Sequence, residues 1–173
     1  LEYMNKGYSI EQKTLSPDDA QIGNTLNNIG LVFWNMGDHT KALEYFFKDV
    51  EIELKKKGED SPDLANPYGN IAIIYHETGK YEKAIEYQNK SLRIRLKVFG
   101  EMHPSVSINY LNLGKVYQSI GNLERALEYQ RKSMAIRLVV YDSLHPLLSK
   151  GYTTIGEVFS ELHQYDSAMF CFN

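Results

Sequence analysis

The sequence predicts an all-α solenoid of antiparallel helix pairs, because one pattern of residues recurs every 42 positions along the chain. Three kinds of residue keep this spacing: a small residue, an alanine and an aromatic ring. The three columns are Gly30, Ala72, Gly114 and Gly156; Ala42, Ala84, Ala126 and Ala168; and Phe33, Tyr75, Tyr117 and Phe159. A fixed period of this length, held by three columns in one register, indicates stacked units that bury their apolar faces against each other.

The second repeat illustrates how each unit is built. Ser61 is a good N-cap for a first helix, and Pro62 suits the first helical position, where its missing N–H is not needed. Apolar residues follow at helical spacing until Gly79, which is expected to end this helix in a left-handed conformation. A second helix is predicted from near Tyr81 to Gly100. No part of the chain has the alternating pattern of a strand.

The period divides the chain into three full repeats and two partial ones, within a single solenoid over residues 1–173. The predicted boundaries are 1–17, 18–59, 60–101, 102–143 and 144–173. Neither terminal segment resembles the polar capping helix that solenoids use for solubility. We therefore expect the chain to be a segment of a longer array, and we expect the isolated segment to associate end to end.

Composition excludes several classes of partner. The 173 residues are 43% hydrophobic and 24% charged, and the net charge of −3 favours neither nucleic acid nor a membrane surface. No apolar run approaches the roughly 18 residues of a membrane span. Cys171 is the only cysteine, so a disulfide framework is excluded and a reducing, cytoplasmic compartment is expected.

The sequence contains none of the motifs that indicate an enzyme. The five histidines form no metal-binding pattern, and neither a phosphate-binding glycine loop nor a Gly-x-Ser-x-Gly motif is present. His103 and His145 precede proline at the same position of two repeats and are interpreted as turn residues. We predict no catalytic residues, no metal and no cofactor.

One stretch of the third repeat resembles the tetratricopeptide repeat. Its pattern of an aromatic residue, Leu-Gly, Tyr and Ala corresponds to Tyr110, Leu113-Gly114, Tyr117 and Ala126. The usual unit has about 34 residues, and the longer unit of this chain, extended at the end of the second helix, is similar to the repeats of kinesin light chains. The resemblance implies a right-handed superhelical solenoid that acts as an adaptor or scaffold. Its first helices would line a concave groove that binds an extended peptide or a partner helix.

The resemblance also implies where a peptide would bind. Asn28, Asn70 and Asn112 stand two positions before the small-residue column, where members of the family carry a ladder of asparagines that holds a peptide backbone. An amide can serve this purpose because it both donates and accepts hydrogen bonds. The alternative is that these amides bond to neighbouring helices or water.

Two further columns of the first helices differ between repeats and would set specificity. Leu31, Ile73 and Lys115 occupy one column, and Trp34 and His76 belong to the other. Trp34 is a good interface anchor, although it could equally pack against the next helix. The basic residues with which chaperone-binding members hold a terminal carboxylate are absent, so a chaperone tail is not expected as the ligand.

A second function class is compatible with the same sequence. The array could be a structural spacer or a self-assembling segment of a larger multidomain protein. In that case the first helices would bind no peptide, and contacts between repeats would drive assembly.

Overall fold

The computed structural model describes residues 2–15 and 20–172, and these residues form nine α-helices and one short 3-10 turn. No strand occurs in this part of the chain, so the all-α prediction is confirmed. The helices are α1 Glu2–Thr14, α2 Ala20–Asn35, α3 His39–Lys57, α4 Ala65–Glu77, α5 Tyr81–Phe99, α6 Pro104–Ser119, α7 Leu123–Val140, α8 Pro146–Glu161 and α9 Tyr165–Phe172. The 3-10 turn, Pro62–Leu64, directly precedes α4.

The chain divides into two compact units, Leu1–Ile94 and Arg95–Asn173. In the first unit, α2 packs on α3, and α3 packs on α4. In the second unit, α6 packs on α7, α7 on α8, and α8 on α9. A connection of only three residues joins α2 to α3, and the same holds for α6 and α7, so each pair is an antiparallel helical hairpin.

Glycine in a left-handed conformation makes these short connections possible. Gly37, Gly79 and Gly121 follow the first helix of successive repeats with φ angles of 78°, 71° and 77°. At the first of them, the N–H of Gly37 donates to the Trp34 carbonyl at 2.8 Å. The predicted role of Gly79 is therefore confirmed. In the last repeat the same place is taken by His163, at a φ of 59° that side chains rarely adopt.

Histidine caps the first helices of the second unit. His103 precedes α6 and His145 precedes α8, and the Nδ1 atom of each accepts a backbone N–H two residues further on, at 3.2 Å. Each imidazole also stacks on an aromatic ring, Phe99 at 4.4 Å and Tyr141 at 4.1 Å between centroids. Both residues thus have the structural turn role predicted for them.

The small-residue column is where the two helices of a repeat come closest. A Cβ atom added at Gly30 would lie 2.6 Å from the Phe46 ring, which is fully buried. A Cβ atom added at Gly156 would lie 2.6 Å from the Phe172 ring. Contacts this short are not tolerated between real side chains, so Gly30, which faces a fully buried ring, requires glycine.

Two acidic side chains of α3 are buried in the first unit. Asp49 is 5% exposed and Glu53 is 2% exposed. Glu53 accepts a hydrogen bond from the Ser61 hydroxyl at 3.0 Å, and the Lys57 ammonium lies 3.7 Å from its carboxylate. Burial, reinforced by the neighbouring charges of Glu53 and Asp63, raises the pKa of Asp49 to about 7. The later repeats carry serine in the Asp49 column, so this buried acid belongs to the first unit alone.

None of the helices in the described part of the chain combines the length and the apolar character needed to cross a bilayer.

Candidate peptide-binding faces

Two hydrogen bonds join the first helices α2 and α4 within the first unit. The Asn70 amide nitrogen donates to Asn27 Oδ1 at 3.0 Å, and the Trp34 indole N–H donates to Glu77 Oε2 at 2.7 Å. The two bonds are seven residues apart on each helix, which is close to two helical turns. They therefore lie on the same side of both helices and mark a continuous strip between them.

Helices α2 and α4 carry every first-unit residue that the sequence predicts to bind a peptide. We give the name first-unit face to these residues, which are Asn28, Leu31, Trp34, Asn70, Ile73 and His76, together with Glu77. Asn28 is exposed, whereas the other five predicted residues are half-buried. A mixture of half-buried apolar side chains and accessible amides can contact both the side chains and the backbone of a ligand.

The three predicted asparagines differ in how their amides are used. Asn28 has no hydrogen-bond partner among the described residues, and the same is true of Asn112 in α6. The Asn70 amide donates to Asn27 on the neighbouring first helix, which is the alternative that the sequence left open. The side-chain carbonyl oxygen of Asn70 remains as an acceptor for a ligand. A substitution at Asn28 can therefore change ligand binding without removing a hydrogen bond of the fold.

Trp34 belongs to a polar cluster that the sequence did not reveal. The Glu77 oxygen that accepts its N–H also lies 3.5 Å from Nε2 of His39, the first residue of α3. His39 is placed there by its neighbour Asp38, whose carboxylate caps α3 by accepting the Lys41 N–H at 3.0 Å. That backbone hydrogen bond also lowers the pKa of Asp38.

The bonded pairs do follow a pattern in the sequence, because the two residues of each pair are 43 rather than 42 positions apart. Trp34 and Glu77 are 43 apart, and so are Gln118 and Glu161 in the second unit, where the glutamine amide donates to the glutamate at 2.5 Å. Asn27 and Asn70 have the same offset. Comparing only residues of equal repeat position hides these pairs, because α2 bonds to α4, and α6 bonds to α8, at one position further along.

The first-unit face has very little charge. Helix α2 contains no Asp, Glu, Lys or Arg, and the single such residue of α4 is Glu77. Its side chain is 39% exposed, so this carboxylate faces solvent. The face therefore consists of neutral amides and apolar groups around a single negative charge.

In the second unit, the predicted residues Asn112 and Lys115 lie one helical turn apart on α6. Both are half-buried, and the Lys115 ammonium has no ion-pair partner in the part of the chain that the structure describes. Gln118, one turn further on, donates to Glu161 of α8. We call Asn112 and Lys115 the second-unit face.

Within residues 2–15 and 20–172, no group of three or more His, Cys, Asp or Glu side chains is arranged to hold a metal ion. Cys171 is half-buried and packs beside an apolar cluster that includes Met134, Ile155 and Phe159.

The family model described as tetratricopeptide repeat matches residues 21–97, 63–138 and 105–173. The chain belongs to the tetratricopeptide repeat family. Repeats of this family are typically non-catalytic modules for protein interaction, which is the general function that the match supports. No curated protein matches the chain in sequence.

Solved structures of other tetratricopeptide repeat proteins share the fold. BtubC (BKLC) from P. vanneervenii superposes with a TM-score of 0.88 at 23% identity, over 97% of this chain and 67% of that one. A kinesin light chain-type protein from Podosopora anserina with nearly identical repeats gives 0.81 at 20% identity, over 98% and 81%. The apo form of RapI gives 0.83 at 17% identity, over 97% and 58%. The chain is thus a tetratricopeptide repeat protein that resembles kinesin light chain repeats, and these identities support the fold alone.

Proposed function

We propose that this chain is a protein-interaction module that binds an extended peptide, or one helix of a partner, on the exposed sides of its first helices. It would act as an adaptor or scaffold in the cytoplasm, where its lone cysteine would remain reduced. Asn28 and Asn70 would hold the ligand backbone, while Leu31, Ile73 and Trp34 would contact its side chains. Asn112 and Lys115 would perform the same tasks on the second-unit face.

The observation that carries this proposal is the exposed amide of Asn28. It belongs to the same helix as the half-buried Leu31 and Trp34, and it has no hydrogen-bond partner among the described residues. An amide has two donors and an acceptor, so it can satisfy both polar groups of one peptide unit. Because the helices are already packed, the protein would lose little conformational freedom on binding.

Replacing Asn28 with alanine is expected to weaken peptide binding without changing the stability of the fold. Peptides selected from an unbiased display library would be titrated by calorimetry against the wild type and Asn28→Ala. Loss of one or two hydrogen bonds should weaken affinity by roughly five- to tenfold. Thermal melting of the variant should match the wild type, since no contact of the fold is removed.

Asn89→Ala is the matched control, because Asn89 is another exposed asparagine of the first unit but lies on the second helix α5. It should bind the selected peptide like the wild type. Equal affinities for all three proteins would contradict a role for Asn28, and the absence of any selected peptide would contradict peptide binding altogether.

One observation favours the structural alternative. Helix α9 exposes three large apolar side chains, Met169 at 62%, Phe170 at 81% and Phe172 at 54%. Apolar surface of this kind is typical of an interface, and in stacked repeats it is covered by another helix. A spacer or self-assembling segment would use it to contact a further repeat.

For this alternative we expect concentration-dependent association that Phe170→Glu abolishes, because the substitution places a charge in the apolar surface. Light scattering of the wild type and the variant over a hundredfold range of concentration measures this association. A wild-type protein that stays monomeric at the highest concentration would contradict end-to-end association.

A further inference from the structure

We infer that the first-unit face selects ligands carrying a lysine or arginine side chain, which would bind the Glu77 carboxylate next to Trp34. This inference rests on the proposed function, because it specifies the chemistry of the peptide that the face would bind. It begins from the charge of the face. Glu77 is the one acidic or basic residue in α2 and α4 together, so a charged group recognised there by attraction must be positive.

The geometry of Glu77 leaves room for such a group. Both of its contacts, from the Trp34 indole N–H at 2.7 Å and the His39 ring at 3.5 Å, reach the same oxygen, Oε2. No hydrogen bond reaches Oε1 from the described residues. The carboxylate is therefore fixed in position by the indole while one oxygen remains available to a donor. A charge-assisted hydrogen bond to this oxygen is among the stronger contacts a ligand can make.

The Trp34 ring is the aromatic group that contacts this carboxylate. In the first unit, the ammonium groups of lysines lie over the rings of Phe33, Tyr45, Tyr68, Tyr75 and Tyr87, at 4.6–5.9 Å from the centroids. No such cation lies over Trp34 within the described residues, although indole is the ring that attracts cations best. Its N–H donates to a carboxylate, which increases the negative potential of the ring face. A ligand cation attracted by Glu77 would therefore find this ring unoccupied by a cation of the described residues.

Selection from an unbiased display library tests the inference directly. Peptides would be selected in parallel against the wild type, Glu77→Gln and Glu161→Gln. We expect Lys or Arg at one fixed position of the peptides selected by the wild type, and no such preference with Glu77→Gln. Glu161→Gln should keep it, because Gln118–Glu161 repeats the same hydrogen-bond geometry in the second unit without an aromatic ring. Melting curves of the variants show whether each remains folded.

A titration then measures the size of the effect. Trp34 is the only tryptophan of the chain, so the protein's tryptophan fluorescence reports on the surroundings of Trp34 and Glu77 alone. Changing the basic residue of a selected peptide to Gln should weaken its binding to the wild type about tenfold. The same change should alter binding to Glu77→Gln by less than about twofold.

The possible failures are distinguishable. Selected peptides that lack a preferred basic residue, or a preference that survives in folded Glu77→Gln, would overturn this inference and leave peptide binding intact. A library that yields no binding peptide would overturn both the inference and the proposed function.

Discussion

Replacing Asp49 with asparagine is expected to stabilise the first unit at pH 8 by about 2–4 kcal/mol. The wild-type carboxyl is 5% exposed, and burial raises its pKa from 3.8 to about 7. Between these two values the folded protein holds a proton that the unfolded chain has released, so stability falls as the pH rises from about 4 to about 7. Above that window the carboxylate is buried and charged near Glu53. Asparagine keeps the shape and removes the charge.

Urea unfolding followed by the fluorescence of Trp34 measures this effect, because that residue lies in the same unit. The variant should lose the part of the pH dependence that lies between pH 4 and 7. Glu51→Gln is the control, since Glu51 is an exposed residue of the same helix paired with Lys55 at 2.7 Å. Such surface pairs contribute at most about 1 kcal/mol. An Asp49→Asn variant that is no more stable than the wild type at pH 8 would show that the carboxylate is well solvated.

Gly30→Ala is expected to destabilise the first unit by roughly 1–3 kcal/mol, through overpacking. The added methyl group would lie 2.6 Å from the Phe46 ring, and that ring is fully buried and cannot move aside. Either the α2–α3 pair must separate or the ring must leave its position. The free energy of unfolding, from the same urea experiment, gives the magnitude.

Gly7→Ala provides the comparison for this prediction. Gly7 also lies within a helix, α1, but a Cβ atom there would meet nothing within 4 Å. Alanine favours a helix over glycine by up to about 1 kcal/mol, so this variant should be unchanged or slightly more stable. Destabilisation of both variants to the same extent would mean that close packing is not the reason for glycine at position 30.

The repeat period was enough to predict the fold, because the spacing of small residues, caps and turn glycines follows directly from helix geometry. The left-handed Gly79 and the turn positions of His103 and His145 are local features of this kind, although their capping hydrogen bonds were seen only in the structure. The burial of Asp49 could not be predicted, since an acid in a helix is usually solvated. The only indication was that the two later repeats have serine at the equivalent position.

The hydrogen-bond partners within the candidate site were harder to predict from the sequence, and the reason is geometric. The observed bonds do not join residues of the same column, because α2 pairs with α4, and α6 with α8, at an offset of one residue. Asn70 therefore bonds to Asn27 rather than to Asn28, and Trp34 bonds to Glu77. The columns indicate which helices present variable residues, but the partners of those residues depend on how the helices pack in three dimensions.

Photo-crosslinking of a bound peptide tests the central claim most directly. A peptide selected from the display library would carry a photoreactive phenylalanine analogue, and mass spectrometry would locate the residues to which it becomes attached. We predict attachment to the exposed sides of α2 and α4, or to α6 in the case of the second-unit face. Attachment confined to the second helices α3, α5, α7 or α9 would contradict the assignment of the first helices as the binding surface.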